Sequence, residues 1–282
     1  MSKNKKIGKK ILVILASVLG AIVLLYLFLI TPRMFSKPDM SGLEGWMYAH
    51  RGFHDNLSDA PENSLKSFEK AIENGYGIEL DVQLSKDGIP VVFHDTDLKR
   101  VCGVEGNLKD YTCEQLKECV LFDTEEKIPT LQEALDVIDG KVPVIVEYKG
   151  ESLDTTVAEV ADQVLCEYDG AYCIQAFNPL IVGWYRMNRK EVVRGQLSEK
   201  FYSAPDGEKS ILNFLLENLL LNVYAKPDFI AYKHTHYDGL SRRLVDGLFG
   251  KTSVAFTIKN QEEYEAAKEH FDIIIFDSFI PE

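Results

Sequence analysis

Val142-Pro143-Val144-Ile145-Val146-Glu147-Tyr148-Lys149 (residues 142–149) is a nearly continuous apolar run that ends in charged residues. A second run, Ile273-Ile274-Ile275-Phe276, is apolar throughout. Short unbroken apolar runs are typical of parallel strands that are covered on both faces. With six further runs they make a set of eight predicted strands: Trp46–His50, Gly77–Gln83, Val142–Lys149, Ala171–Phe177, Val192–Leu197, Asp228–Tyr232, Ser253–Ile258 and Asp272–Phe276.

Amphipathic segments separate the predicted strands. Leu65, Phe68 and Ile72 share one helical face after Asn63-Ser64, a typical helix start. Eight strands that alternate with helices over about 235 residues match a closed (β/α)8 barrel, a TIM barrel of the α/β class. An open, doubly wound sheet is the alternative, but it usually carries a Gly-rich first turn, and the sequence has neither G-x-G-x-x-G nor a P-loop. We therefore predict the barrel.

The interval between the second and third predicted strands departs from this rhythm. Ser85-Lys86-Asp87-Gly88 carries an Asp-Gly hairpin signal, and Ile89–His94 is a strand-like run. We expect Ile89–His94 to fold back antiparallel beside the second strand and to bring His94 to one end of the barrel. The polar stretch that follows is long for a loop in a compact domain, which indicates a function or a small structure of its own.

An uncharged apolar segment, Ile11–Ile30, lies close to the N-terminus. As a helix it would span about 30 Å, the thickness of the hydrocarbon core of a bilayer. Five lysines precede it, which predicts a cytoplasmic N-terminus and a body outside the cell membrane. A cleaved signal peptide is the alternative, although its apolar stretch is usually shorter. The predicted organisation is a cytoplasmic basic tail (1–10), a single-pass transmembrane anchor (11–30), a linker (31–45) and a barrel domain (46–282).

The charge of the chain is unevenly distributed. All 44 acidic residues follow residue 38, whereas seven of the 31 Lys and Arg residues lie within the first 38 positions. Such an acidic body is a poor candidate for binding nucleic acid, because neutralised phosphates supply most of the affinity there. Acidic residues can also serve as ligands for a metal ion.

Chemically active side chains stand where the first three predicted strands and the hairpin end. Active sites of such barrels lie at the C-terminal ends of the strands. Residues two apart in a strand point to the same face, so Glu79 and Asp81 share one face of the second strand. Glu147 and Lys149 share one face of the third strand for the same reason. The side chains expected to converge at this end are His50, Arg51, Glu79, Asp81, His94, Glu147 and Lys149.

This set of side chains suits metal-assisted phosphodiester chemistry. Three carboxylates held together repel one another unless a cation or protons neutralise them, and oxygen ligands favour Mg²⁺ or Ca²⁺ over zinc. Arg and Lys match a phosphate, and two histidines on opposite sides of phosphorus could act as base and acid in turn. Taken singly, each residue has a structural alternative, such as an ion pair between Glu147 and Lys149. Their joint occurrence at successive strand ends favours the catalytic interpretation.

Four motifs in the first half of the chain resemble those of the glycerophosphodiester phosphodiesterase family. The resemblance extends over about residues 46–282. It implies a TIM barrel with a small insertion in the second βα loop, at residues 98–127, and hydrolysis of a glycerophosphodiester to glycerol 3-phosphate and an alcohol. The four motifs are Ala49-His50-Arg51-Gly52, Pro61-Glu62-Asn63-Ser64, Glu79-Leu80-Asp81-Val82 and Val91-Val92-Phe93-His94-Asp95.

The same resemblance implies a role for each of the converging side chains. The substrate's own glycerol 2-hydroxyl would attack phosphorus, and water would then open the resulting cyclic phosphate. The cation would be Mg²⁺ or Ca²⁺. By this resemblance the general base and acid are His50 and His94, the metal ligands are Glu79, Asp81 and Glu147, and the phosphate-binding residues are Arg51 and Lys149.

The second half of the chain departs from the family's motifs, which leaves the choice of substrate open. Phe177, Phe256 and Phe279 stand near strand ends, where they could contact the substrate or simply pack. Two other functions stay open: lysophospholipase D-type cleavage of membrane lysolipids, and a non-catalytic barrel that binds phosphodiesters. The remaining histidines, His54, His234, His236 and His270, are predicted to be surface or loop residues, although His234 and His236 follow the sixth strand and could line the mouth.

Overall fold

The structure, a computed structural model, describes residues 3–150, 153–205 and 207–282 of the chain. The described residues form nine strands, and each begins and ends within two residues of a run that the sequence predicts. The strands are β1 (Met47–His50), β2 (Gly77–Leu84), β3 (Pro90–Val92), β4 (Val144–Tyr148), β5 (Tyr172–Ala176), β6 (Val193–Ser198), β7 (Phe229–Lys233), β8 (Thr252–Ile258) and β9 (Ile273–Phe276).

All the described strands except β3 close into a parallel barrel. β1 pairs with β2 on one side and with β9 on the other, and each remaining barrel strand pairs with the barrel strand that follows it in sequence. β3 pairs antiparallel with the end of β2, where Val82 stands opposite Val92. The predicted (β/α)8 barrel and the predicted hairpin are therefore confirmed.

Helices cover the outside of the barrel, and side chains that accept hydrogen bonds from the first turn define several helix starts. The Ser64 side chain accepts a hydrogen bond from the Ser67 amide, and Thr130 forms a reciprocal capping box with Glu133. The described helices are α1 (Lys3–Leu29), α2 (Leu65–Glu73), α3 (Lys99–Cys102), α4 (Cys113–Leu116), α5 (Leu131–Ile138), α6 (Thr156–Leu165), α7 (Pro179–Asn188), α8 (Ile211–Glu217), α9 (Asn222–Ala225), α10 (Leu240–Phe249) and α11 (Gln261–Ala267).

The alternation of side chains along the strands separates two buried layers. Val144 and Val146 point outward and pack in the layer between strands and helices. Ile145 points into the barrel, where it packs in a second cluster with Tyr48. Because side chains alternate along a strand, Glu147 points inward like Ile145. The barrel interior is therefore apolar in its lower part and charged toward the C-terminal ends of the strands, which we call the mouth.

The segment after β3 has a small hydrophobic core of its own. Val91 and Phe93 of the hairpin pack there with Leu98, Leu116 and Ile128, all of which are buried. The short helices α3 and α4 cover this cluster. The long interval that interrupts the strand–helix rhythm is thus an ordered structure that packs on the hairpin.

Among the described residues, α1 is the one helix that is long and apolar enough to cross a membrane, over Ile7–Leu29. Residues 7–25 are exposed, but the end of the helix packs on the outside of the barrel. Tyr26 Oη lies 2.7 Å from Ser241 Oγ, and Ile30 is fully buried. The apolar segment therefore has an exposed part and a short part that belongs to the barrel.

Residues 31–45 form neither helix nor strand but contact the barrel closely. The Arg33 amide donates a hydrogen bond to the Pro227 carbonyl, at 3.0 Å. Leu43 is buried, and its carbonyl accepts a hydrogen bond of 2.7 Å from Tyr48 Oη. This connection fixes the segment between α1 and β1 against the end of the barrel opposite the mouth.

Candidate active site

Strand register brings three carboxylates together at the mouth. In the parallel pairing of β2 with β4, Asp81 stands opposite Glu147, and Glu79 lies two residues before Asp81 on the same inward face. One oxygen from each of the three carboxylates lies within 4.8 Å of the other two. All three side chains are buried. The structure thus brings the three predicted metal ligands to one point.

The protonation of these acids follows from their crowding. Burial, together with Asp81 and Glu147, raises the pKa of Glu79 well above its usual range. Burial alone would raise the pKa of Asp81, but Lys149 and Arg51 hold it well below its usual range. The raised pKa of Glu79 results in part from repulsion among the three carboxylates, and a cation bound between their oxygens would relieve that repulsion.

These carboxylates fit a divalent cation. Glu79 Oε1 is buried and accepts no hydrogen bond from any residue that the structure describes. Buried carboxylate oxygens without partners are costly, and hard cations such as Mg²⁺ and Ca²⁺ are bound by oxygen ligands of this kind. The donor set, three carboxylates without sulfur or nitrogen, excludes the usual ligand pattern of structural zinc.

Two basic side chains lie beside the acids. Lys149 Nζ is 2.9 Å from Asp81 Oδ1 and also contacts Glu147. Burial opposes its charge, but Asp81 and Glu147 raise the pKa of Lys149 above its usual value. Arg51 Nε lies 3.3 Å from Asp81 Oδ2, and Arg51 Nη1 donates to Glu62 Oε1 at 2.6 Å. Both cations are therefore held in place at the edge of the acidic cluster.

His50 ends β1 and stands opposite Glu79 in the register of β1 with β2. Its Nε2 atom lies 4.0 Å from Glu79 Oε2, and its Nδ1 atom lies 3.1 Å from Asp277 Oδ2. Burial lowers the pKa of His50, and Arg51 lowers it further, although Asp277 opposes both. A neutral imidazole with Nδ1 donating to Asp277 leaves Nε2 free to accept a proton at the mouth.

His94 reaches the mouth through the hairpin. Its Nδ1 atom lies 2.7 Å from Asp95 Oδ1. Gln83 Nε2 donates to the carbonyls of residues 93, 94 and 95, which fixes the end of the hairpin against β2. Arg100 of α3 bridges Asp95 and Glu62. Burial raises the pKa of Glu62, but Arg100 and Arg51 outweigh it and lower that pKa to about 2.

A cavity of about 440 Å³ opens at the mouth between these groups. Phe177 and Phe256 line it, and their rings meet edge to face at 5.9 Å. Phe279 instead packs edge to face on Phe276 and is not among the described residues that line the cavity. The structure therefore brings two of the three predicted aromatic residues to the cavity. The predicted polar residues that line it are His50, Arg51, His94, Glu147 and Lys149, and Glu79 and Asp81 lie beneath them.

Several residues without a predicted role also line the cavity, and two of them, Asp277 and His54, interact with each other. Asp277, after β9, joins His50 to His54, whose Nε2 atom lies 3.0 Å from Asp277 Oδ1. The sequence predicts a surface or loop position for His54, but its side chain is only 7% exposed and it lines the cavity. The one available signal was the position of Asp277 directly after an apolar strand, at the mouth end of the barrel.

The other histidines have partners away from the cavity. His234 Nε2 lies 3.6 Å from Glu263 Oε2, and His236 Nδ1 accepts a hydrogen bond from the Lys200 amide. His270 stacks on the ring of Tyr237, with the ring centres 4.2 Å apart. The sequence predicts surface or loop positions for all three, although His234 and His236 follow the sixth predicted strand and could line the mouth. None of the three is among the described residues that line the cavity.

The loop that carries Arg51 has an unusual backbone. Arg51 and Asn63 adopt left-handed conformations, with φ of 57° at each, and the Asn63 amide donates to the Arg51 carbonyl at 2.9 Å. Asn63 Nδ2 also donates to Asp81 Oδ2 at 2.9 Å. Such conformations cost about 1–3 kcal/mol each and persist where surrounding contacts enforce them, often at functional sites. The Pro61-Glu62-Asn63-Ser64 motif thus supports both Arg51 and Asp81.

The fold and the site define a TIM-barrel protein with a buried acidic cluster of the kind that binds a divalent cation. Comparison with known proteins extends this result. Residues 50–249 match the model of the glycerophosphoryl diester phosphodiesterase family. The chain therefore belongs to that family of enzymes, as the sequence motifs predict.

Individual relatives agree with this assignment. A glycerophosphodiester phosphodiesterase from Caldanaerobacter subterraneus is 44% identical over 100 residues, which are 33% of this chain and 40% of that protein. The match thus spans well under half of that relative's length. A solved phosphodiesterase of Oleispira antarctica, in complex with the product sn-glycerol-3-phosphate, is 25% identical with a TM-score of 0.67 and covers 83% of this chain and 93% of its own. A glycerophosphodiester phosphodiesterase from Thermotoga maritima is 26% identical with a TM-score of 0.62, over 82% and 93% of the two chains.

The contact between Gly52 and Ser67 yields a stability prediction with a matched control. Gly45 and Gly52 both have φ of 81°, but a Cβ at Gly52 would lie 2.3 Å from Ser67 Oγ, whereas a Cβ at Gly45 would meet no atom within 4 Å. We expect Gly45→Ala to cost about 1–2 kcal/mol for the left-handed backbone. Gly52→Ala should cost about 1–3 kcal/mol more, because it also overpacks the loop.

Urea unfolding of the two variants measures this difference directly. Ser67 Oγ donates to the Arg51 carbonyl at 3.1 Å, so the extra cost should be accompanied by displacement of Arg51. Equal losses in the two variants would contradict the close packing of this loop.

Proposed function

We propose that this protein hydrolyses glycerophosphodiesters to glycerol 3-phosphate and an alcohol with the help of a divalent cation. The observation that carries the proposal is the cluster of Glu79, Asp81 and Glu147 beneath a cavity that Arg51 and Lys149 also line. Membership of the phosphodiesterase family and the likeness to a structure that holds sn-glycerol-3-phosphate support it. The cavity volume falls within the range of about 300–1,000 Å³ that is usual for small-molecule sites.

The proposed roles follow the charges of the site. Glu79, Asp81 and Glu147 would hold Mg²⁺ or Ca²⁺, which when bound supplies positive charge to a phosphate oxygen. Arg51 and Lys149 would bind the same phosphate. Both basic groups are already oriented by carboxylates, so their charges are preorganised for the charge that develops on phosphorus oxygens.

His50 and His94 are proposed as the base and acid. Neutral His50, oriented by Asp277, would take the proton of the attacking hydroxyl at Nε2, and His94, oriented by Asp95, would donate a proton to the leaving alcohol. The substrate's own glycerol 2-hydroxyl is the proposed nucleophile, which gives a cyclic phosphate that water then opens. An internal nucleophile needs no covalent attachment to the protein.

Cleavage of lysolipids by the same chemistry is a second candidate. One observation favours it: α8 carries Ile211 and Leu212 in exposed positions, and this helix has no buried residue among those described. Farther along the chain, in the turn between α8 and α9, Leu219 and Leu220 are buried in the layer between strands and helices. The exposed part of this segment could contact a lipid chain, whereas the buried part belongs to the core of the barrel domain.

We further propose that the protein is a single-pass protein of the cell membrane with the barrel outside the cytoplasm. The proposed parts are a tail (1–10), an anchor (11–30), a connection (31–45) and a barrel (46–282) with its insertion (98–127); the first two residues of the tail lie outside the described residues. Burial of Ile30 supports an uncleaved anchor, because cleavage behind the apolar segment would remove a packed part of the barrel.

Removal of either histidine tests the catalytic proposal. With glycerophosphocholine or glycerophosphoethanolamine as substrate, we expect His50→Ala and His94→Ala each to lower kcat/KM by about 10²–10⁴-fold, the usual contribution of acid–base catalysis. His270→Ala, at a histidine outside the cavity, should keep parental activity. Release of glycerol 3-phosphate by the detergent-solubilised full chain is the measurement. Persistent binding of the diester without turnover in any metal would instead favour a non-catalytic barrel.

Thermal unfolding with and without cation tests the metal site independently of activity. At a cation concentration 100 times its dissociation constant, binding should stabilise the fold by about 2.7 kcal/mol and raise Tm by several degrees. Asp81→Asn should abolish this rise. Asp228→Asn is the control, because Asp228 is equally buried but lies at the opposite end of the barrel. A rise that persists in Asp81→Asn would reject the acidic cluster as the cation site, and titrations with Mg²⁺ and Ca²⁺ would rank the two ions.

A matched pair of substrates separates the two candidate activities. We expect glycerophosphocholine to be turned over, because it has no acyl chain and requires no contact outside the polar cavity. Lysophosphatidylcholine differs by one acyl chain, and its turnover by the full chain in vesicles would establish lipid action. A strong preference for the deacylated compound in both detergent and vesicles would count against the lysolipid candidate.

A further inference from the structure

The direction in which α1 leaves the barrel relates the mouth to the membrane. Tyr26 Oη meets Ser241 near the start of α10, the helix that follows the mouth end of β7. Farther along the chain, the Ile30 carbonyl accepts a hydrogen bond from Asn222 Nδ2 of α9, which precedes β7. From Tyr26 to Ile30 the chain therefore descends along the outside of the barrel, away from the mouth.

Contacts of the next residues continue this descent. The Thr31 carbonyl accepts a hydrogen bond from Lys226 Nζ, and the Arg33 amide donates to the Pro227 carbonyl. Arg33 Nη1 donates to the Lys190 carbonyl at 2.8 Å, and Lys190 lies three residues before the start of β6. All of these partners lie at the end of the barrel where strands begin. Followed in the other direction, toward the N-terminus, α1 thus rises past the mouth.

The exposed part of α1 is short and is joined to the barrel without a linker. Uncharged residues 11–25 precede the packed turn and would span about 22 Å as a helix, less than the roughly 30 Å of a hydrocarbon core. The same helix continues into Tyr26, which packs on the barrel. An anchor of this length holds the barrel close to the bilayer surface.

Exposed apolar side chains surround the mouth on the loops and helix starts that follow the barrel strands. Leu57 after β1 is 99% exposed, and Leu153 after β4 is 88% exposed. Asn56 and Lys149, their close neighbours in sequence, line the cavity. We call this set the apolar rim; its members are Leu57, Leu153, Ile211, Leu212, Leu240 and Ile280, which are all exposed.

We propose that the apolar rim rests in the surface of the phospholipid bilayer that α1 crosses, so that the mouth faces the membrane. Apart from the adjacent Ile211 and Leu212, the rim residues stand on separate loops and helix starts. This is expected for residues that enter the membrane interface without forming a core. The partner of the rim is a bilayer because α1 leaves the barrel on the mouth side. A bilayer that α1 crosses must therefore lie on that side of the barrel. This inference rests on the proposed membrane anchor. Together with the proposed function, it implies that the cavity receives phosphodiester groups that are presented at the bilayer surface.

Quenching of tryptophan emission by brominated lipid tests this orientation. Leu212 on the rim and Met187 at the end of α7, on the opposite side of the barrel, are matched in exposure at 57% and 59%. Leu212→Trp and Met187→Trp would each be reconstituted as the full chain in phosphatidylcholine vesicles with and without bromine on the acyl chains. Subtraction of the parental signal removes the emission of the native Trp46 and Trp184.

We expect bromination to reduce the added emission of Leu212→Trp about twofold or more, because interfacial side chains reach about 5–10 Å into the headgroup and acyl boundary. The added emission of Met187→Trp should be unchanged. Leu57→Trp, at a second rim position, should behave like Leu212→Trp. It serves as a control in case Leu212→Trp disturbs the local fold. Absence of quenching at both rim positions, or equal quenching at Met187→Trp, would overturn the proposal. Neither readout requires turnover, so failure here is distinct from failure of the proposed activity.

Discussion

Mutual repulsion among three buried carboxylates is the constraint on which the site depends. Glu79, Asp81 and Glu147 meet because two neighbouring parallel strands are in a fixed register, and a shift by one residue would turn their side chains toward the helices. Lys149 and Arg51 neutralise part of this charge, and a divalent cation would neutralise the rest. The rigid barrel thus maintains an arrangement of charge that no flexible loop could hold without relaxing.

Parts of the chain that are distant in sequence support this cluster. Asp277 orients His50 across the seam where β9 meets β1, and Arg100 of the insertion connects Glu62 to the hairpin that carries His94. Closure of the barrel and docking of the insertion are therefore conditions for assembly of the site. The proposed orientation toward the bilayer concerns access to the assembled site, since it would determine which phosphodiesters reach the mouth.

Much of the fold could be predicted from the sequence, because buried parallel strands correspond to short continuous apolar runs and the Asp-Gly turn predicts the hairpin. The cluster of acids could be predicted as well, since Glu79 and Asp81 have the spacing of residues on one strand face. The role of His54 could not, because its partner Asp277 is brought near only when the two ends of the barrel meet. The direction of α1 depends on hydrogen bonds such as that from Asn222 to Ile30, which leave no pattern in the sequence.

An anomalous difference map from crystals grown with Mn²⁺ would test the central claim most directly. The account predicts a peak about 2.0–2.6 Å from oxygens of Glu79, Asp81 and Glu147, the range of Mg²⁺ and Ca²⁺ ligand distances. A map with no peak at this position, and with Lys149 alone neutralising Asp81 and Glu147, would contradict it.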